Sequence, residues 1–511
     1  MKSDDILDAV GEIDGKKVAR AHAGGQRTVH PWRRWAAAAA ALLLVAGGVF
    51  AAVGLGGKAP AGETEPPVPT PTQSQSLPGP GTGASPALLA AAVYPEMPQH
   101  PRDYNDSAAM QSWYESVRAQ QMQRSEYAGA LDGYLRRSLP KLLAGAAGEN
   151  RVCSPLNVYL ALAMLSEAAG GESQTQLLDL LGADSLETLR ARAKAVWNAN
   201  YQDDGTTRNI LSSSLWLDED VDFVQETLDT LAADYYASSY RGQAGSADYD
   251  RLLQAWLNEH TGGLLEAYVN DIELDDDTLV ALVTAVDFYA SWIQEFRAEQ
   301  NETGVFHALD GDLEAEFMRE TRWANYYWGE RFSAVQKELE LGLIPGNMWL
   351  LLPDEGVSPE ALLEDEEVLN FLLTDKDRYR DDGSPVWENS AFVELHLSLP
   401  KFDVAAKTDL IGSLQALGVT DIFVPGLADF SPTVQNQEDL LPYIAKAEHA
   451  ARIRVDETGV AGAAYTVVEM RAGGAPVMPE DQVDFVLDRP FLFAVTGADG
   501  LPLFVGVVHQ P

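Results

Sequence analysis

The sequence predicts an α+β domain over residues 88–511, preceded by an apolar span and a proline-rich linker. Three observations predict it. Apolar residues recur at helical spacing early in the domain, in "EYAGALDGYLRRSLPKLL" and "NVYLALAMLSEAAGGESQTQLLDLLG". Strand-like apolar runs follow in "LVALVTAVDFYASW", "NMWLLLPDEG" and "FVELHLSLPKF". The chain closes on "PFLFAVTGADGLPLFVGVV", which reads as a hairpin of two apolar strands around a short turn. Helices first and strands later argue for one mixed domain.

The segments ahead of the domain have different textures. Residues 1–34 are polar and carry Lys16, Lys17, Arg20, Arg27, Arg33 and Arg34. Residues 35–57, "WAAAAAALLLVAGGVFAAVGLGG", hold no charge. A membrane-crossing helix needs about 20 apolar residues, and this run is long enough. Basic residues precede it and only Lys58 follows closely. The positive-inside rule therefore makes residues 1–34 a cytoplasmic tail and 35–57 a single transmembrane helix, with the rest outside the cell membrane. A cleaved leader with its cut near "VFAA" is the alternative. Thirty-four polar residues are long for a leader, which favours an uncleaved anchor. Residues 58–87 are rich in Pro, Gly, Ser and Thr, lack periodicity, and read as an extracytoplasmic spacer.

Composition excludes several functions. With 511 residues, 46% hydrophobic, the chain can bury a large core. A net charge of -41 repels phosphate backbones, so nucleic acid is not an expected partner. Cys153 is the single cysteine, which rules out an internal disulfide and a cysteine-based zinc site. Its apolar setting, "NRVCSPLNVYLALAML", makes it a small core residue. The eight histidines are scattered, without HExxH. No GxSxG elbow, P-loop or dinucleotide turn occurs. No catalytic residue, metal site or cofactor is predicted, and an ordinary enzyme is a weak reading.

One stretch does not fit a static element. In "ARIRVDETG", Ile453 and Val455 alternate with Arg452, Arg454 and Asp456, as in a half-buried strand. "VAGAAYTVV" then continues with small or β-branched residues and no charge, leading into the loop-like "MRAGGAPVMPEDQ". Strand parity puts Val460, Gly462, Ala464, Thr466 and Val468 on one face, all small. Ala461, Ala463, Tyr465, Val467 and Glu469 take the other face, where Tyr465 and Glu469 suit solvent. A static strand would use larger residues on its buried face.

Over residues 125–511 the chain resembles the serpins, the serine protease inhibitor family. "NRVCSPLNVYLALAMLSEAAGG", "WLNEHTGGL", "LVTAVDFYASWIQEF", "NMWLLLPDEG", "LSLPKF", "LGVTDIF", "ADFS", "KAEHAARIRVDETG" and "DRPFLFAVTGADGLPLFVGVVHQP" are similar to the family's motifs and stand in its order. Several such motifs in register are specific where one would not be. The resemblance implies three β-sheets, eight or nine helices and an exposed reactive loop over about 457–485.

It also implies suicide inhibition of a serine protease, or of a papain-like cysteine protease. The target attacks the loop, and the cut loop enters the largest sheet as a new strand, with the acyl-enzyme attached. The implied hinge is Glu457, Gly459, Val460, Gly462, Ala464 and Thr466. Fourteen residues past Gly459, the reactive bond is expected at Gly473–Gly474, with Met470, Arg471 and Ala472 as alternatives. The residues beneath the sheet opening match as Ser154, Thr284 and His449, and Trp292 matches the tryptophan where the loop enters. The family's usual Thr is Val460 here, its usual Ala run is broken by Gly462, and its Asn is Thr284. The expected protein is a bacterial, monomeric inhibitor tethered to the membrane. A non-inhibitory binding or display protein, cleaved only as a substrate, is the competing reading.

Overall fold

The computed structural model describes residues 86–511 except 99–100, 102–105, 122–126, 146–147, 205–206, 264–268, 271, 343, 375, 377–384 and 461–480. The expected tail, transmembrane helix and nearly all of the linker lie outside the described residues. Among the described residues no helix is long and apolar enough to cross a membrane.

The first sheet runs β1 (Ala87–Ala90), β5 (Ala237–Gly242), β4 (Arg208–Asp218), β6 (Val280–Ser291), β14 (Gly459–Val460), β13 (Ile444–Val455) and β12 (Phe402–Asp409). The short β3 (Gln202–Asp203) pairs with β4. The second runs β15 (Gln482–Val486), β11 (Ser390–Pro400), β8 (Gly311–Trp328), β9 (Phe332–Leu339), β10 (Gly346–Pro353), β16 (Phe491–Thr496), β17 (Pro502–Val508) and β2 (Arg151–Cys153). In this sheet β7 (Glu302–Ala308) pairs with β8.

Two hydrogen-bonded networks stand where three sheets were expected. The cause is β8, 18 residues long. Its start pairs with β7, its main length with β11 and its last residues with β9. One continuous strand thus carries the ladder from one region to the next. Eleven α-helices occur among the described residues, of which eight have eight residues or more.

The Pro155–Ala168 helix is the core of the fold. Its sequence, PLNVYLALAMLSEA, is apolar on every side, and such a helix must be buried. All its residues except Glu167 are buried. Ser154 caps it by accepting from Asn157 N, and Pro155 occupies the first turn, where its missing N–H costs nothing. The helix touches the first sheet at β6 and the second at β17. Cys153, at the end of β2, is buried beside it, and burial pushes its thiol up to about 12.

A second helix, Ala247–Glu259, lies on the opposite face of the first sheet. Ser246 caps it, accepting from Tyr249 N. Leu253, Trp256 and Leu257 pack with Trp216, Ala281, Ala285 and Ala450. Both faces of the first sheet are therefore covered at this level.

The start of the domain joins the first sheet, and its first strand includes Ala87, the last residue of the expected spacer. β1 pairs antiparallel with β5, Leu88 opposite Tyr240. Tyr94 then stacks on Trp197 at 5.3 Å between ring centres.

Candidate functional site at the opening of the first sheet

Strands β6 and β13 are parallel neighbours at one end only. They pair from Ile444 opposite Val280 up to His449 opposite Thr284. At the other end β14 stands between them, antiparallel to both. Val460 faces Ala290 on β6 and Val455 on β13, and Gly459 faces Ser291. Between these levels, residues 285–289 and 450–454 do not pair with each other among the described residues. The two sides of this slot match: six positions separate Thr284 from Ala290, and six separate His449 from Val455.

The slot has two different walls. Val286, Phe288, Ala290, Ala451, Ile453 and Val455 face the main core. Ala285 and Ala450 face the Ala247–Glu259 helix.

A tight turn holds the mouth. Asp456 Oδ1 accepts from Thr458 N at 2.9 Å and Thr458 Oγ1 at 2.6 Å. Asp456 N donates to Gly459 O at 3.1 Å. Gly459 is the one residue that fits there, because a Cβ would lie 2.3 Å from Ala290 O. Trp292 ties this turn to β6. Its Nε1 donates to Asp456 O at 2.9 Å, and its backbone N donates to Thr458 O at 2.9 Å.

Beside the indole sits a buried cation. Lys337 Nζ is 5.3 Å from the Trp292 ring centre and 4.1 Å from that of Phe296. It donates to Glu320 at 2.8 Å and to Gln294 O at 2.7 Å. Burial lowers Lys337 to about 8.

Glu457 joins the turn to two further segments. Its Oε1 accepts from Lys401 Nζ at 2.7 Å and from Asn301 Nδ2 at 2.6 Å. Both donors also reach Glu316, each at 2.9 Å. Burial works to raise the Glu457 carboxyl, yet Lys401, its own backbone N–H and Asn301 together hold it below the ordinary carboxylate value.

The closed end of the slot rests on a small polar group. Ser154 N donates to His449 Nε2 at 2.9 Å, which makes Nε2 the unprotonated nitrogen. Nδ1 faces Thr284 Oγ1 at 3.4 Å. His449 is fully buried, and desolvation lowers it to about 4, so its ring is neutral at pH 7. Asn157 Nδ2 donates to Ala285 O at 3.2 Å, tying the central helix to the first residue of the open slot.

The structure thus brings Ser154, Thr284 and His449 together at one end, and Trp292, Glu457, Gly459 and Val460 at the other. Gly462, Ala464, Thr466, Met470, Arg471, Ala472, Gly473 and Gly474 lie outside the described residues. Two expectations change. The loop was drawn over 457–485, but Gly459–Val460 are already paired, and Gln482–Val486 form β15, parallel to β11. Phe485 is buried there and anchors the far end. The face assigned to solvent is not open at the level of Ala285 and Ala450, because the Ala247–Glu259 helix covers it.

Sequence reasoning missed Asn157, Lys337, Lys401 and Asn301. Asn157 carried a signal, a polar residue directly ahead of the apolar run Val158–Leu165. The other three meet the site only through tertiary contacts. Among the described residues no cluster of His, Cys, Asp or Glu is fit to hold a metal.

Comparison with known proteins bears on this geometry. The family described as Serpin (serine protease inhibitor) matches residues 137–511. Serpin-Z2B of Oryza sativa subsp. japonica is 27% identical over 410 residues, spanning 75% of this chain and 97% of its own. Plasminogen activator inhibitor 1 of Sus scrofa is 27% identical over 395 residues, spanning 73% and 89%. The native state of the thermophilic serpin tengpin superimposes with a TM-score of 0.64 at 24% identity, covering 75% of this chain and 94% of that one.

Proposed function

The chain belongs to the serpin family, and we propose that it traps a protease by giving up residues 461–472 as a new strand of its first sheet. The observation that carries this reading is the slot between β6 and β13, matched in length on both sides and already entered by Gly459–Val460. Extending that register sets Gly462 opposite Phe288 and Ile453, Ala464 opposite Val286 and Ala451, and Thr466 opposite Thr284 and His449. The smallest residue thus meets the bulkiest pair. The even-numbered positions face the main core, where only small side chains enter without overpacking.

In the reaction, the nucleophile of a serine protease, or of a papain-like cysteine protease, attacks the carbonyl of Gly473. The Gly473–Gly474 bond breaks, Gly474 leaves with its new amine, and Gly473 stays as an ester or thioester on the target. Cleavage after Met470, Arg471 or Ala472 follows the same course. The fourteen residues from Val460 to Gly473 make thirteen steps and extend about 43 Å as a strand. On the register above, residue 470 is level with Val280, so Gly473 lies past the end of β6. The target is dragged the length of the sheet. Insertion adds about a dozen ladder hydrogen bonds at about 1 kcal/mol each, so the uncleaved form is held by kinetics.

The test is a denaturing gel of residues 88–511 mixed with a panel of proteases. A covalent band at the summed mass supports trapping. Clean cleavage within 469–478 without such a band supports the substrate-only reading.

We further propose that residues 35–57 anchor the inhibitor outside a bacterial cytoplasmic membrane, with 58–87 as spacer. The uncharged run behind Arg33 and Arg34 supports this. Protease added to spheroplasts should release a soluble domain by cutting the spacer. A mature N-terminus near residue 50–60 in secreted protein would overturn the anchor.

A further inference from the structure

The outer edge of the first sheet carries a segment that ties the sheet to the helices behind it. β1 pairs with β5, Ala87 opposite Arg241 and Leu88 opposite Tyr240. Past β1, Ala92 N donates to Ser238 Oγ at 3.1 Å and Val93 N donates to Ala232 O at 3.0 Å. Ser238 belongs to β5 and Ala232 to the Gln225–Asp234 helix. The Tyr94 ring lies 5.3 Å from that of Trp197 and 6.0 Å from that of Tyr201, at the end of the Leu186–Asn200 helix. Its hydroxyl stands 3.4 Å from Ser212 Oγ on β4. Leu89, Ala90, Tyr94 and Met97 pack against the main core. One short segment thus holds two strands of the sheet and two helices. It lies ahead of residue 137, where the match to the family begins.

We propose that residues 87–97 are a brace that holds the first sheet narrow, and that undoing it is part of the barrier to loop insertion. The inference rests on the insertion reading and adds what keeps the uncleaved form waiting. A new strand between β6 and β13 needs about 4.8 Å of added width. β12 and β13 rest on β2, a strand of the second sheet, so the β6 side has to move. On that side β6, β4, β5 and β1 form one ladder and move together. The Leu186–Asn200 and Gln225–Asp234 helices pack on the central Pro155–Ala168 helix. A ladder that slides while these helices stay pulls Tyr94 between its two sets of partners. Trp197 adds a tie of its own, donating from Nε1 to Leu211 O on β4 at 2.7 Å. Ring contacts and hydrogen bonds are lost well before about 4.8 Å of travel. Ser212, which meets the Tyr94 hydroxyl, stands opposite Ala285, next to the level where Thr284 still pairs with His449. The brace therefore acts where the closed end of the slot has to part.

A brace predicts a different outcome from a segment that only adds stability. Two quantities are read on the full chain. One is the Tm before and after a single cut within 469–478. The other is the rate at which uncut protein converts, on warming, to a form that stays compact in urea. Tyr94→Ala should lower the uncut Tm by about 4 °C, leave the cut Tm unchanged and speed conversion about tenfold. Tyr94→Phe keeps the stack and should stay close to wild type. Ser238→Ala removes the acceptor of Ala92 N and should shift both quantities in the same direction as Tyr94→Ala, by less. Equal losses of Tm in the cut and uncut forms of Tyr94→Ala, or conversion no faster than in wild type, overturn the brace and leave insertion standing. A wild-type Tm that does not rise on cutting overturns insertion, and the brace with it.

Discussion

Placing one charge on each face of the inserting strand separates insertion from simple loop cleavage. Ala464→Arg puts a guanidinium opposite Val286 and Ala451, both in the main core. No acidic group faces that level from the core side of β6 or β13, so the charge is buried unpaired. Such burial costs about 3–5 kcal/mol. If about half of it is felt at the barrier to insertion, the rate falls about thirtyfold. Hydrolysis of the acyl-enzyme is unchanged, so the ratio of cleaved inhibitor to covalent complex should rise by a similar factor. Ala463→Arg stands opposite Asp287 and Arg452. Asp287 is already paired with Arg208 at 3.1 Å, and Arg452 is partly exposed, so the new side chain has a route to water. Its cost should stay within about 1 kcal/mol. The assay is densitometry of complex and cleaved bands at fixed enzyme-to-inhibitor ratio. Equal damage from the two variants, or none from either, would refute the register and the parity drawn from Val460.

Two further outcomes follow from the ends of the slot. Glu457→Gln removes the charge that Lys401 and Asn301 share and should lower stability by about 1 kcal/mol, after allowance for partial exposure. A lower urea midpoint at unchanged slope is the readout, and the deficit should vanish at acid pH. The held-down carboxyl stabilises the fold above the ordinary value near ~4.3 and loses that effect as pH falls through its own lower value. His449 titrates near 4 when folded and near ~6.5 when unfolded, so its neutral ring stabilises the fold above about pH 6.5. About 3 kcal/mol should be lost as pH falls through 4, and His449→Gln should lack this component. Parallel pH profiles for wild type and variant would contradict the buried neutral ring.

The sequence pattern carries the strands of this site better than it carries their connections. Alternation in "ARIRV" announces β13, and the observed burial of Ile453 and Val455 with Arg454 exposed follows it. The run "LVALVTAVDFYAS" announces β6 as a strand covered on both faces, because apolar residues are continuous there. Periodicity also separates the two faces of the segment after Gly459, but not what covers each face. That depends on the Ala247–Glu259 helix, which is remote in sequence, and so Tyr465 was given to solvent. The clasp at Glu457 draws on Asn301, Glu316 and Lys401, three segments that a linear pattern does not connect. Lys337 in "FSAVQKEL" shares a strand face with Val335 and Leu339, and Trp292, Phe296 and Glu320, all remote in sequence, enclose it. The merging of the expected second and third sheets follows from the length of β8, which pairs with three partners in turn.

Amide hydrogen exchange along the slot tests the central claim most directly. In the uncleaved protein, the slot-facing backbone groups of residues 285–289 and 450–454 have no ladder partner across the gap among the described residues, while β11 and β8 are paired with each other from Ser390 opposite Tyr327 to Pro400 opposite Phe317. Cleavage near Gly473 followed by insertion gives them one. The account predicts that slot-facing amides in these two stretches slow by about a hundredfold or more after cleavage, with β8 and β11 unchanged. Exchange in 285–289 and 450–454 that is the same before and after cleavage would contradict it.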